Sequence, residues 1–576
     1  MLKHLPTFRF LLALMLFSAC LSSAEGMRPV HARRAMVASV HELASQTGAD
    51  TMRAGGNAVD AAVAAGFALA VVHPAAGNLG GGGFLLLRLA NGEVHFLDFR
   101  EKAPAKASAG MYLDAKGNVI PQASQIGYRA VAVPGSVAGL VEAQRRWGKL
   151  ALKQVMEPAI RLARDGFALR YADAHALRDE LLAQFAESKR IFQRNGNYYE
   201  QGEIFRQPEL ARTLERIAQD PDDFYHGALA RELAAAIQQG GGLISTDDLA
   251  NYKVVERRAV RGTYRGYQVI SAPPPSSGGV ALLETLNILE GYDLHALGSR
   301  SAKSIHLTVE SFRRAFFDRA EFMSDPDFTP VPVAQLIDKQ FAARWRESID
   351  PVRATPSDSL KRPKFEALDQ LASTRAPMAV REGGNTTHLS VVDPQGNAVA
   401  MTTTLNDSFG SRVTVPGLGF LLNDEMDDFT VKPGVANLYG LIQSAANAIA
   451  PNKRPLSSMT PAIVLKDERL FLVLGSPGGA TIISTVANII MGVIDFGLDI
   501  QQAVNAPRFH QQWVPDELRL EKFGFSPDTL PLLSNGGYEL KQTGYWGDAE
   551  CIAVDPRTGD RLGASDGRNG GRAIGF

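Results

Sequence analysis

Two cysteines in 576 residues, Cys20 and Cys551, leave almost no scope for a disulfide framework. The 11 histidines form no His-Glu-x-x-His pair and no Cys/His ligand cluster, so neither a metal nor a cofactor is expected. A charge bias is missing as well. The 60 basic and 61 acidic residues give −1, which excludes a surface tuned to nucleic acid or a polybasic membrane patch. Internal repeats and low-complexity tracts are absent. What is present is an ordinary globular composition, 45% hydrophobic and 21% charged, with ample length for a large core.

The amino terminus reads as a targeting segment. Lys3 and Arg9 precede the apolar run from Phe10 to Phe17, too short to span a bilayer, and the small residues Ser22, Ser23 and Ala24 follow. Residues 1–24 are therefore expected to be a signal peptide cut after Ala24, and the protein to be exported to a bacterial periplasm. A rival reading attaches a lipid to Cys20, but Phe17 stands where such signals usually carry Leu. If Cys20 leaves with the signal, Cys551 has no intrachain partner.

Glycine and proline punctuate the rest. Gly55-Gly56-Asn57 feeds an Ala-rich stretch, Ala58 to Gly66, that is expected to be a tightly packed helix. Gly80 to Gly83 precede an apolar strand, whereas a dinucleotide fingerprint would sit between strand and helix. Asn91-Gly92 signals a hairpin into Val94 to Arg100. Residues 130 to 350 read as mostly helical with charged faces, and Pro351 to Gly384 as an exposed segment where a chain can be cut without harming its core. Strand signals return at His388 to Val392, Asn397 to Thr404, Pro461 to Leu465 and Leu470 to Leu474, before a long apolar helix from Ala480 to Phe496. This order predicts an α/β (α+β) architecture, sheets covered by helices and assembled from both halves of the chain.

Several places carry residues that chemistry can use. Thr386 opens a strand; threonine is a poor nucleophile unless activated, and its own α-amino group, exposed by a cut after Asn385, is an economical activator. Strand propensity alone also explains a threonine there. Gly475-Ser476-Pro477-Gly478-Gly479 joins a strand to a helix and lacks the lysine of a phosphate loop. It suits an oxyanion hole with Gly478 and Gly479 as N–H donors, or a plain tight turn.

Asp424, Glu425, Asp427 and Asp428 form an acid run. A solvated surface is the ordinary explanation, a calcium loop lacks its pattern, and an ammonium site is the functional reading. The proline-bounded loop from Pro451 to Pro461 offers Ser457 and Ser458 to a carboxylate, with Arg100 as its cation, although loop serines commonly just form turns. His388 invites a Ser/His/Asp-type reading but is expected to point away from Thr386.

In order and spacing these motifs resemble the γ-glutamyltransferases: Thr386-Thr387-His388, Thr404-Leu405-Asn406, Glu425 with Asp427-Asp428-Phe429, Pro451 to Met459, and Gly475 to Gly479. Gly55 to Ala62, Gly80 to Gly82, Asp98 to Glu101 and Pro134 to Gly139 agree too, so the resemblance covers nearly the whole mature chain. It implies an N-terminal-nucleophile hydrolase with a four-layer αββα sandwich, made as a precursor and cut into a large subunit, residues 25–385, and a small one, 386–576, that stay together as a heterodimer.

By the same resemblance Thr386 is the nucleophile, first on the Asn385 carbonyl and then on a γ-glutamyl amide such as that of glutathione, passing the glutamyl group to an amino acid, a peptide or water. Thr404 supports it, Gly478 and Gly479 form the oxyanion hole, Arg100, Ser457 and Ser458 hold the α-carboxylate, and Asn406, Glu425 and Asp428 hold the α-ammonium. Some members carry glutamine where Glu425 stands. Pro433 to Ser444, with Tyr439, resembles a loop that lids the pocket, unlike the open-pocket variants that take polyglutamate. Two alternatives stand beside this: a cephalosporin (glutaryl) acylase of the same family, whose acyl chain lacks the α-amino group, and a non-catalytic periplasmic protein that keeps a glutamyl pocket.

Overall fold

A computed structural model describes residues 28–369 and 386–576, apart from Pro433, Gly434, Ala436, Tyr439 and Ile442. The predicted signal peptide, Asn385 and Tyr439 lie outside the described residues.

Two antiparallel sheets of seven strands stack face to face. The first runs Arg572–Gly575, Met36–Ser39, Thr386–Val392, Ala398–Thr404, Gly82–Arg88, Val94–Phe99, Val255–Arg257. The second runs Val30–Ala32, Arg561–Ser565, Glu550–Val554, Arg469–Leu474, Ala462–Lys466, Tyr267–Ser271, Val260–Tyr264. Helices Glu42–Arg53 and Ala58–Val72 cover the outer face of the first sheet. Gly278–Leu289 and Ile500–Asn505 cover the second, with Thr481–Ile494 packed against both of them. The result is the four-layer αββα sandwich. Both sheets combine strands from before residue 370 with strands from after residue 385.

Period-two alternation decides which layer each strand residue joins. Along Gly82–Arg88, Phe84 and Leu86 enter the core shared with the second sheet, while Leu85 and Leu87 enter the core under the first helix layer. Ala58–Val72 is buried along its whole length, which its alanines permit by letting neighbouring backbones approach. Its start is fixed by a capping box: Asn57 Oδ1 accepts from the Val59 and Asp60 N–H groups, and Asp60 Oδ2 accepts from the Asn57 N–H at 2.8 Å.

Two readings of the middle of the chain change. The region from 130 to 350 contains the strands Val255–Arg257, Val260–Tyr264 and Tyr267–Ser271, whose short length and interleaved Arg, Glu and Gln hide them from a hydrophobic pattern. Its charged helix faces are not all solvated: Glu310, Arg313, Arg314, Asp318 and Arg319 of the Ala302–Phe322 helix are buried. The described part of the segment after Pro351 is largely exposed, as expected, with Val352 71% exposed, but it is anchored by buried Leu360 and Leu368 and by Ser357 Oγ donating to the Trp513 carbonyl at 2.5 Å. Cys551 lies in the core, where burial pushes its thiol pKa up.

Candidate active site

The predicted site residues come from segments hundreds of positions apart, and the fold brings all the described ones except Gly478, which adjoins the lining through Gly479, to one cavity of about 280 Å³. Its lining is Arg100, Thr386, Thr404, Asn406, Glu425, Asp428, Leu441, Ser457, Ser458, Met459, Gly479 and Ile482. A larger cavity, of about 700 Å³, is lined in part by His73, Arg170, Asp173 and Asp548 and includes none of the predicted site residues.

One end of the site is built from hydroxyls and backbone. Thr386 and Thr404 sit opposite each other on paired strands, with their Oγ1 atoms 3.2 Å apart. Thr404 is held from both sides: its Oγ1 accepts from the Asn406 N–H at 2.8 Å, and its carbonyl accepts from Asn78 Nδ2 at 2.9 Å. The loop from Gly475 to Gly479 then leads into the Thr481–Ile494 helix. Gly478 has φ +130°, and a Cβ there would meet Thr481 Oγ1 at 2.5 Å, so only glycine fits. Thr481 locks the turn by donating from Oγ1 and N–H to the Gly478 carbonyl, at 2.7 and 3.1 Å. Neither the Gly478 nor the Gly479 N–H has an acceptor among the described residues.

The other end is charged. Glu425 and Asp428 open and close a 3₁₀ turn, in which side chains three apart fall on one side. Both reach Arg100, whose Nη1 donates to Glu425 Oε1 and whose Nη2 donates to Asp428 Oδ2 at 2.5 Å. Arg100 also donates to the carbonyls of Pro455 and Leu456, at 3.2 and 3.1 Å, which ties it to the serine loop. Buried Asn447 joins the same pieces, donating to the Asp428 carbonyl at 2.8 Å and accepting from the Leu456 N–H at 3.0 Å.

Burial opposes the Arg100 charge, but Glu425, Asp428 and Glu101 more than offset it and hold the guanidinium above its usual range. Burial pushes the Glu425 carboxyl well above the usual carboxylate range, with Arg100 pulling it back, and pushes Glu101 up to about 7. The remaining acids of the run are brackets. Asp424 accepts from Asn406 Nδ2 and the Asp407 N–H, while Asp427 accepts from Ser124 Oγ at 2.6 Å and the Leu438 N–H at 2.9 Å.

Two strand neighbours of Thr386 are sorted by the pleat. Thr387 lies on the opposite face, in step with Leu389 and Val391 under the outer helices, so it has no route to the cavity. His388, expected to point away, shares the Thr386 face because residues two apart on a strand do so. Its ring nevertheless turns from Thr386. Nδ1 bonds Thr402 Oγ1 at 2.8 Å, Nε2 bonds Ser390 Oγ at 3.2 Å, and the ring lies against Gly475, where a Cβ would meet it at 2.3 Å. Burial lowers its pKa to about 3, so it is neutral.

Sequence reasoning did not single out Arg319, Ser277 or Asn447. Each looks like an ordinary helix or loop residue, and only the contacts they make behind Ser457, Ser458 and Asp428 distinguish them.

The family model described as Gamma-glutamyltranspeptidase matches residues 44–576. A glutathione hydrolase proenzyme of Escherichia coli (strain K12) is 46% identical over 584 residues, covering 98% of each chain. Among solved structures, a Helicobacter pylori gamma-glutamyltranspeptidase chain is 46% identical, with a TM-score of 0.55, covering 56% of this chain and 93% of its own. A cephalosporin acylase from Bacillus halodurans is 27% identical, with a TM-score of 0.82, covering 96% of this chain and 98% of its own. The chain belongs to the gamma-glutamyltranspeptidase family.

Proposed function

We propose that the protein is a γ-glutamyl hydrolase and transferase, acting on glutathione and related amides, that matures by cutting itself between Asn385 and Thr386. The observation that carries this reading is convergence: one cavity joins two facing threonines, a glycine whose N–H has no acceptor, and groups of both charges. Self-cleavage is compatible with the fold, because each sheet pairs strands from both sides of the cut through hydrogen bonds that do not depend on chain continuity. Residues 25–385 and 386–576 would then remain together as large and small subunits.

In maturation Thr386 Oγ1 attacks the Asn385 carbonyl carbon, the C–N bond to Thr386 breaks and frees the α-amine, and water hydrolyses the resulting ester to an Asn385 carboxylate and the Thr386 hydroxyl. In turnover that amine takes the Oγ1 proton as Oγ1 attacks the γ-carbonyl of the donor. Thr404, whose oxygen already accepts from the Asn406 N–H, donates to Thr386 Oγ1. The developing oxyanion accepts from the N–H groups of Gly478 and Gly479, each worth about 3 kcal/mol in the transition state. The leaving amine departs with the proton, and a γ-glutamyl ester of Thr386 remains. Water or an acceptor amine then attacks this ester, gives its proton to the α-amine and restores Oγ1–H.

Arg100, Ser457 and Ser458 receive the donor's α-carboxylate, while Asn406, Glu425 and Asp428 receive its ammonium. An arriving ammonium also supplies the positive charge that draws Glu425 back to its ionised form.

The likeness to a cephalosporin acylase favours a second reading, a glutaryl acylase. Glu425 and Asp428 weigh against it, since Arg100 alone would face two buried carboxylates with no ammonium to complete the pairing. Turnover of γ-glutamyl-p-nitroanilide and glutaryl-p-nitroanilide separates the two, and faster glutaryl cleavage overturns the proposal. A non-catalytic binding protein would leave the chain whole on a denaturing gel and release no nitroaniline. Export to the periplasm with loss of residues 1–24 belongs to the same proposal. Amino-terminal sequencing of the larger subunit tests it, and a lipid on Cys20 is the contrary outcome.

A further inference from the structure

The Ala302–Phe322 helix carries three arginines into the core, and they are not equivalent. Arg313 Nε donates to Glu310 Oε1 at 3.1 Å, and Arg314 Nη1 donates to Glu310 Oε2 at 2.7 Å. Arg319 has no carboxylate paired with it among the described residues. Its Nε donates to Ser277 Oγ at 2.9 Å and its Nη2 to Ser458 Oγ at 3.1 Å, while Nη1 is buried without an acceptor among the described residues. Burial lowers its pKa to about 10, with Asp428 opposing, so it remains a cation at neutral pH.

Proton direction follows from chemistry. A guanidinium only donates, so both serine oxygens accept from it, and each serine must send its single proton elsewhere. Ser277 sends its proton to the Ser457 carbonyl at 2.7 Å, and its N–H donates to the same carbonyl at 2.8 Å. This fixes the Ser457–Ser458 turn. Ser458 lines the cavity, and Arg319 is the partner of its oxygen, which leaves the cavity as the direction for its proton.

The charges divide in the same way. With Glu425 and Asp428 ionised, and Glu101 3.7 Å from its Nη1, Arg100 is outnumbered by carboxylates, which leaves net negative charge that suits an ammonium. Arg319 forms an ion pair with none of the described residues, Asp428 acting on it only from beyond pairing distance, which leaves positive charge that suits a carboxylate.

We propose that Arg319 is a specificity-determining positioning residue. It turns the Ser458 proton into the pocket and sets an unmatched positive charge behind it, so that the donor must carry a carboxylate on its α-carbon. This rests on the γ-glutamyl reading, and it assigns the carboxylate requirement to a residue that need not touch the substrate.

The test compares γ-glutamyl-p-nitroanilide with 4-aminobutyryl-p-nitroanilide, the same amide without the α-carboxylate, on wild type, Arg319→Met and Arg319→Lys. In Arg319→Met, KM for the γ-glutamyl donor is expected to rise about 30-fold with kcat within about threefold, as loss of a charge-assisted contact implies. Its kcat/KM for the 4-aminobutyryl donor stays within about threefold, so the preference for a carboxylate collapses. Arg319→Lys, which keeps the charge but not the fork, falls between. An equal loss on both donors in either variant overturns the proposal. So does failure of both variants to fold or self-cleave, which assigns Arg319 to the core. Absence of wild-type turnover on the γ-glutamyl donor defeats the parent reading instead, whatever Arg319 does.

Discussion

The two ends of the cavity are made differently. Arg100, Glu425 and Asp428 are ionisable and already joined to one another, whereas Thr386, Thr404, Gly478 and Gly479 offer only hydroxyls and backbone N–H groups. A buried charge network is rigid and demands a complementary charge, so it selects. Unpaired N–H groups on a locked turn stabilise charge only when it develops, so they accelerate. The division teaches that substitutions at the charged end should move KM, and those at the neutral end should move kcat.

The largest effect expected is at Thr386. Thr386→Ala should leave the chain uncut on a denaturing gel and reduce turnover by about 10⁴-fold or more. An uncut variant that keeps substantial turnover would place the nucleophile elsewhere. Next comes Gly478→Ala, where positive φ and the nearby Thr481 hydroxyl force the turn to shift. In chains that have matured, kcat should fall about 100-fold with KM within about threefold. A change confined to KM would erase the distinction between the two ends. Asp428→Asn should do the reverse, raising KM for a γ-glutamyl donor by about 10- to 100-fold while kcat changes far less.

The smallest effect concerns His388, which burial holds neutral with its pKa lowered to about 3. Above its ordinary pKa of about 6.5 neither the folded nor the unfolded chain protonates it, and its contribution is complete. As pH falls from there toward 3, the unfolded chain takes up a proton that the fold excludes, so stability declines by about 1.4 kcal/mol per pH unit for this group. Wild type should therefore lose stability faster than His388→Gln between pH 6 and pH 4, conditions chosen from this window, in urea unfolding. Parallel curves would mean that the ring is protonated inside the fold.

Much of this was legible in the sequence. The Ala58–Val72 helix announced itself from Ala58 to Gly66 through small residues after the Gly55-Gly56-Asn57 loop, and the hairpin through strand signals at His388 to Val392 and Asn397 to Thr404 around Pro394-Gln395-Gly396. The predicted cavity residues carried recognisable chemistry, but their meeting did not show, because Arg100 and Glu425 are 325 positions apart. Short strands with polar residues on alternate positions, such as Val255–Arg257 and Arg561–Ser565, escaped because their pairing partners, not their composition, make them strands. Arg319 escaped for a related reason. In sequence it is one more charge on a charged helix, and its lack of an ion pair among the described residues exists only in three dimensions.

The most direct measurement is rapid quenching of wild type during turnover of γ-glutamyl-p-nitroanilide, followed by digestion and mass spectrometry of the peptides. The expected result is a peptide that begins at Thr386 and carries one added γ-glutamyl group on that residue, which reports the cut and the nucleophile together. A γ-glutamyl label on any other residue, or a whole chain across Asn385 and Thr386 in an enzyme that turns over, would contradict it.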